Sequence, residues 1–172
     1  MKKSKVRILK GILSTIFCFE IGILVFIFFL VPIKIDGPSM EPNLYNNERA
    51  FMGRKNFIKS MPKYNDVVVV KVENGLNELI IKRAIGLPND TIAIKDNKIY
   101  VNGAIFDDHY RSPDTKMNDM AEIKLSDDEI FVLGDNRNVS LDSRSLGPIK
   151  LSQVKAIDGF VYWPLNKIHF ME

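Results

Sequence analysis

Ser39 sits in the stretch Asp36-Gly37-Pro38-Ser39-Met40-Glu41-Pro42, and Lys82 in Ile80-Ile81-Lys82-Arg83-Ala84-Ile85-Gly86. A serine hydroxyl is a weak nucleophile until a neighbouring base takes its proton, and a neutral lysine amine can be that base. Alone, Ser39 reads as a turn residue between Pro38 and Met40. Lys82 is stranger. Side chains alternate along a strand, so Lys82 shares a face with Ile80 and Ala84, while Arg83 points the other way with Ile81 and Ile85. A lysine on an apolar face is uncommon unless it is paired or functional. Burial disfavours the ammonium form, and a fall of roughly 2–3 pH units, about 3–4 kcal/mol, makes the amine a base near neutral pH.

A third segment, Gly134-Asp135-Asn136-Arg137-Asn138-Val139-Ser140-Leu141-Asp142-Ser143-Arg144, is also rich in functional groups. In extended backbone Ser140, Asp142 and Arg144 share a face. Asp142 and Arg144 are then placed to ion-pair, and Ser140 to hydrogen-bond the lysine amine. Taken singly, the segment is a polar turn. His109 and His169 are far apart in sequence and read as surface or strand-end residues, so no metal site is expected.

The elements that must position these groups read as β from Ile33 onwards. Val67 to Val70 is an unbroken β-branched run, the mark of a strand buried on both faces. Glu78 to Ile85 is a second strand, ended by Gly86 and Pro88. Thr91–Lys95 and Lys98–Val101 flank a tight turn at Asp96-Asn97, and Asn102-Gly103 marks another before Ala104-Ile105-Phe106. Asp107 to Asp128 is polar and reads as a loop or exposed flap. Strands return at Glu129–Leu133 and Ala156–Trp163, with a helical turn at Leu151–Lys155. Short strands and turns of this kind predict an all-β fold, a compact barrel or coiled antiparallel sheets.

One helix precedes that fold. Gly11 to Val31 is 21 residues with a single ionisable group, Glu20. As a helix it rises about 31 Å, enough for a hydrocarbon core of about 30 Å. Lys2, Lys3, Lys5, Arg7 and Lys10 precede it, which places the N-terminus in the cytoplasm and the chain beyond about residue 33 outside. A cleavable signal peptide is the rival reading, but Pro32-Ile33-Lys34-Ile35-Asp36 offers no small-x-small site. Glu20 costs roughly 2–3 kcal/mol in a bilayer and is given no role. The expected organisation is a basic cytoplasmic tail over 1–10, a single-pass anchor over 11–32, and an extracytoplasmic domain over 33–172.

The net charge of +3 comes from that tail, since the rest carries 19 basic against 21 acidic residues. Nucleic acid is therefore not an expected partner. The single cysteine, Cys18, falls in the apolar stretch, so no intrachain disulfide can staple the outer domain.

In this order, the three segments closely resemble the boxes of type I signal peptidases. The family's Ser-Met-x-Pro-Thr is here Ser39-Met40-Glu41-Pro42-Asn43. Its Lys-Arg-Val-Ile-Gly-x-Pro-Gly-Asp is matched by Lys82 to Asp90, with Asn89 for the second glycine. Its Gly-Asp-Asn-Arg-x-x-Ser-x-Asp-Ser-Arg is matched in full by Gly134 to Arg144. Where some members carry a serine two residues before the nucleophile, this chain has Gly37. Only 43 residues separate Asp90 from Gly134, so the resemblance is to the small form typical of Gram-positive bacteria.

The resemblance implies a membrane-bound serine endopeptidase of the cell membrane, without cofactor. It would cut exported pre-proteins after small-x-small sites, beside the lipid bilayer and with the secretion machinery as a further candidate partner. Ser39 would be the nucleophile and Lys82 the general base. Ser140 would orient the lysine, and Asp135, Asp142 and Arg144 would brace the site. Ile33, Ile35, Met40, Leu44, Ile80 and Ile81 would line pockets for small side chains. Ser39 lies eight residues past Val31, which keeps it within about 27 Å of the bilayer.

Three rivals stay open at this point. A pilus-type assembly factor would be marked by loss of the serine or lysine, and both are present. A self-cleaving repressor of the SOS type uses the same pair but needs a DNA-binding helical domain. An inert membrane-anchored binding module leaves the setting of Lys82 unexplained.

Overall fold

The computed structural model describes residues 2–58, 61–72 and 78–171, with side chains described from residue 10 onwards except those of 57 and 58. The side chains of the basic tail up to residue 9 therefore lie outside the described residues.

The chain opens with helix α1, Lys2–Phe29. Strands follow as β1 (Leu30–Lys34), β2 (Arg49–Arg54), β3 (Val67–Val72), β4 (Glu78–Gly86), β5 (Thr91–Lys95), β6 (Lys98–Val101), β7 (Ala104–Ile105), β8 (Met120–Lys124) and β9 (Glu129–Leu133). After β9 come β10 (Ile149–Lys150), β11 (Val154–Trp163) and β12 (His169–Phe170). Two short helices interrupt the strands, α2 (Lys55–Ile58) and α3 (Ser143–Leu146).

All pairings are antiparallel. The larger sheet runs β1-β2-β11-β3-β4-β9-β10 with β12 beside β11, and the smaller runs β7-β6-β5-β8. The fold is all-β as expected, as two open sheets and not a closed barrel. Val67 to Val70 are all buried, because β3 lies inside the sheet between β11 and β4. Asp96, Asn97, Asn102 and Gly103 all have positive φ, so two tight hairpins build most of the small sheet.

The flap expected over 107–128 is instead folded onto the small sheet. Met120–Lys124 is strand β8, paired with β5, and Met117 and Leu125 enter the core beside it. Its few apolar residues are spaced singly, which hides them in a polar sequence. Each still fills one place in the core.

Helix α1 is apolar over Lys10–Phe29 with a mean hydropathy of 2.5, and none of that span is buried by the rest of the chain. It ends at Phe29, so Leu30, Val31 and Pro32, which hydropathy groups with the anchor, are strand residues paired to β2. Phe26 meets Phe51 of β2 edge-on at 4.9 Å. The chain thus passes from helix into sheet without a linker, and Ser39 follows five residues after β1 ends.

Candidate active site

Residues 38–44 form a tight turn. Pro38 O accepts from Glu41 N–H at 3.1 Å, and Met40 O accepts from Asn43 and Leu44 N–H at 3.0 and 2.9 Å. Ile35, Met40 and Leu44 anchor it in the core, each almost wholly buried. On the other side, Ser39 O accepts from Asn136 N–H at 3.0 Å. A Cβ at Gly134 would collide with that carbonyl oxygen and with Ser140 Oγ, so only glycine lets this segment press against the turn.

Lys82 comes from β4, with Val68 of β3 as its register partner. It is 3% exposed, and its Nζ lies 2.8 Å from Ser39 Oγ and 2.8 Å from Ile81 O. Burial pushes the amine down to about 8, against the pull of the Asp142, Asp135 and Glu78 carboxylates. With the amine neutral, the serine hydroxyl donates across the same contact. That is the arrangement in which Lys82 can take the serine proton. Among the described residues Ser39 N–H donates to nothing, whereas Gly37 N–H is taken by Asn46 Oδ1 at 3.1 Å.

Ser39 and Lys82 lie in a groove of about 690 Å³. Its walls include Ile33, Ile35, Met40, Ile80 and Ile81, five of the six pocket residues expected from sequence. Leu44 is the exception. It is 2% exposed, faces the core with Met171, and lines a smaller cavity behind the turn. Val139 and Leu141, exposed and apolar, close another side of the groove and were not singled out. They sit at the variable positions of a polar segment, where nothing in the sequence marks them.

Asp142 and Arg144 do pair, through two contacts of 2.8 Å. The geometry differs from extended backbone. Asp142 is the N-cap of α3, and its carboxylate also accepts from Gly134 N–H at 3.1 Å. The first turn of a helix brings Arg144 back onto its own cap. The bond expected from Ser140 to the lysine amine is not made. Ser140 Oγ is buried and has no partner among the described residues, and it packs against Gly134 near the Ser39 carbonyl.

Asp135, 0% exposed at its side chain, is engaged with Arg83, 1% exposed, by contacts of 2.9 and 2.8 Å. Arg83 also donates to Asn65 O at 2.7 Å and lies 3.8 Å over the Tyr110 ring. Arg137 holds Asp108 at 2.5 and 2.6 Å, which ties the 107–119 segment to the Gly134–Arg144 segment. Arg83 and Arg137 are not among the site residues expected from sequence. Their signal was available: a charged residue in the middle of an apolar strand or turn must be paired if it is buried.

With this geometry in hand, comparison with known proteins is informative. Residues 7–163 match the family described as signal peptidase, peptidase S26, so the chain belongs to that family. Among its relatives, a signal peptidase I of Bacillus amyloliquefaciens is 36% identical over 86% of this chain and 84% of its own. The signal peptidase I S of Bacillus subtilis strain 168 is 32% identical over 98% of each chain. A crystal structure of a signal peptidase I from Enterococcus faecalis V583 shares 25% identity with a TM-score of 0.48, covering 57% of this chain and 97% of its own.

Proposed function

We propose that this chain is a membrane-bound serine endopeptidase that removes signal peptides from exported pre-proteins with a Ser39–Lys82 dyad. The observation that carries the reading is the 2.8 Å contact between the Ser39 hydroxyl and a buried amine whose pKa is lowered to about 8. Lys82 Nζ takes the hydroxyl proton while Ser39 Oγ bonds to the scissile carbonyl carbon. The carbonyl oxygen, now negative, takes the free Ser39 N–H as one donor. Lys82 then gives its proton to the departing amine as the C–N bond breaks. A water, deprotonated by Lys82 in turn, bonds to the acyl carbon, and as the bond to Ser39 Oγ breaks Lys82 returns the proton to that oxygen.

The groove suits an extended peptide. β1 is the outermost strand of its sheet, and β9 pairs with β4 only from Arg83 to Gly86, so, among the described residues, 78–82 keep an unpaired edge. A substrate strand can add to such edges by main-chain hydrogen bonds. Ile33, Ile80 and Ile81 line the groove together with the buried Ile35 and Met40, so bulky apolar side chains surround the space beside Ser39. That supports a preference for small residues at the cut site. Asp135, Asp142 and Arg144 brace the segment that packs against Ser39, and the Ser140 hydroxyl fills the space beside it.

By this reading 1–10 is a cytoplasmic tail, the apolar part of α1 from Gly11 onwards the single-pass anchor, and the sheets an extracytoplasmic domain at the outer face of the cell membrane. The short link from Phe29 to Ser39 keeps the serine where a membrane-held pre-protein emerges.

The test uses detergent-solubilised full chain with a pre-protein bearing an Ala-x-Ala site. Wild type should release the mature protein, and Ser39→Ala and Lys82→Ala should not, although both melt cooperatively. Cleavage by either variant at the wild-type rate would remove the dyad from the account.

A further inference from the structure

Asn43 stands at the end of the nucleophile turn, outside the groove, and is half-buried. Its Nδ2 donates to Tyr110 O at 2.6 Å and to Asp135 Oδ2 at 2.9 Å. Both neighbours are acceptors only, a carbonyl and a carboxylate, so the amide has one orientation that fits. The same Asp135 carboxylate takes two arms of Arg83, and Arg83 is the residue next to Lys82 on β4. One buried carboxylate therefore receives a donor from the serine's turn and two from the lysine's strand. The Arg83 guanidinium also covers the Tyr110 ring, whose backbone carbonyl is the other acceptor of Asn43. The loop is closed on itself.

We propose that Asn43 is a positioning residue that fixes the distance between Ser39 and Lys82 from behind, through Asp135 and Arg83. The proposal rests on the dyad reading. The front contact, Lys82 to Ser39, is consumed when the hydroxyl proton moves and the oxygen bonds to carbon. The rear link, Asn43 to Asp135 to Arg83, touches no reacting atom and persists through every step. It holds the turn against β4 while the front contact is broken, so the amine is still in place to protonate the leaving group.

The side chain is matched to this task. An amide offers two N–H donors to two acceptors, whereas a threonine, the residue that the serine box usually carries here, offers one O–H. An aspartate would set a second carboxylate against Asp135 with no proton to share. A displacement of about 1 Å between reacting groups costs roughly 100-fold in rate, so a link of this kind is read in kcat.

The experiment compares full-length wild type with Asn43→Ala, Asn43→Thr, Asn43→Gln and Asn43→Asp on a peptide bearing an Ala-x-Ala site, with thermal melting of each. Ser39→Ala and Lys82→Ala serve as controls. Asn43→Ala should lower kcat by roughly 10- to 100-fold with KM unchanged, because Asn43 does not line the groove. Asn43→Thr should recover part of that loss and Asn43→Asp none. The acid limb of the kcat profile should move to higher pH in Asn43→Ala, as a looser site lets water reach the lysine amine. The proposal is overturned if folded Asn43→Ala keeps wild-type kcat and acid limb. It is equally overturned if the loss falls in KM, or if kcat recovers fully once corrected for the folded fraction. Should the two controls still cleave, the dyad reading fails first and independently of Asn43.

Discussion

Lys82 and Arg83 are neighbours on β4 that leave the strand on opposite faces and enter opposite electrostatic settings. Lys82 is buried against Ser39 with no carboxylate in hydrogen-bonding contact among the described residues, and its amine is held down at about 8. Arg83, equally buried, is met by the Asp135 carboxylate through two contacts of 2.9 and 2.8 Å. One strand thus delivers an amine to the groove and a fixed charge pair to the interior. The alternation of β structure is what separates them.

Removing one half of the interior pair leaves the other as an unpaired buried charge. Arg83→Met should therefore destabilise the protein by about 3–5 kcal/mol. Chemical denaturation of wild type and Arg83→Met measures it, and the doubly substituted Arg83→Met, Asp135→Leu should recover much of the loss. A single-variant cost below about 1 kcal/mol, the level of surface pairs, would mean the pair is not sealed from water.

Asp158 gives a pH signature of its own. Burial first, then the neighbouring Asp66 carboxylate, raises its pKa from 3.8 to about 6, against the opposing pull of the Val67 N–H and Arg83. The folded state therefore prefers the protonated acid. No cost exists below the unfolded value, it builds as pH rises through that window, and it is complete above about 6. Asp158→Asn can keep the 2.9 Å bond from Val67 N–H and the positive φ of this position. Its melting temperature should exceed wild type by a few degrees at pH 7 and match it near pH 4. An equal shift at both values would contradict the assignment.

The groove makes a prediction about selectivity. Ile33 of β1 and Ile80 of β4 are partly buried and both line the groove. Ile33→Ala and Ile80→Ala should each admit a larger residue at one small position of the cleavage site. The ratio of kcat/KM for a Val- or Leu-bearing site to that for Ala-x-Ala should rise about tenfold or more. A fall in both values with no change in ratio would assign these residues to stability alone.

What the sequence discloses of all this follows the range of the interactions. Val67–Val70 and the turns at Asp96-Asn97 and Asn102-Gly103 are legible because β-branched runs and residues tolerant of positive φ act locally. Lys82 is legible because an amine amid isoleucines demands an explanation. β8 is not, since Met120 and Ile123 gain their meaning only when β5 arrives to pair with them. Leu44 looks like its neighbours on the turn that carries Ser39 until Met171 joins it in one buried cluster. The Asp142–Arg144 pair was anticipated, while the helical cap that makes it was hidden in a four-residue helix. Asn43, read as a departure from a motif, proves to be a two-handed donor whose acceptors lie 67 and 92 residues away.

The account depends on an amine that sheds its proton near neutrality while touching the serine. Isotopic labelling of lysine at Cε, with Lys82→Met to assign the resonance, allows the amine to be titrated in the full chain in detergent. A midpoint near 8, coincident with the acid limb of kcat/KM for an Ala-x-Ala peptide, is the predicted result. A midpoint near the ordinary 10.5, or an acid limb that persists unmoved in Lys82→Met, would contradict it.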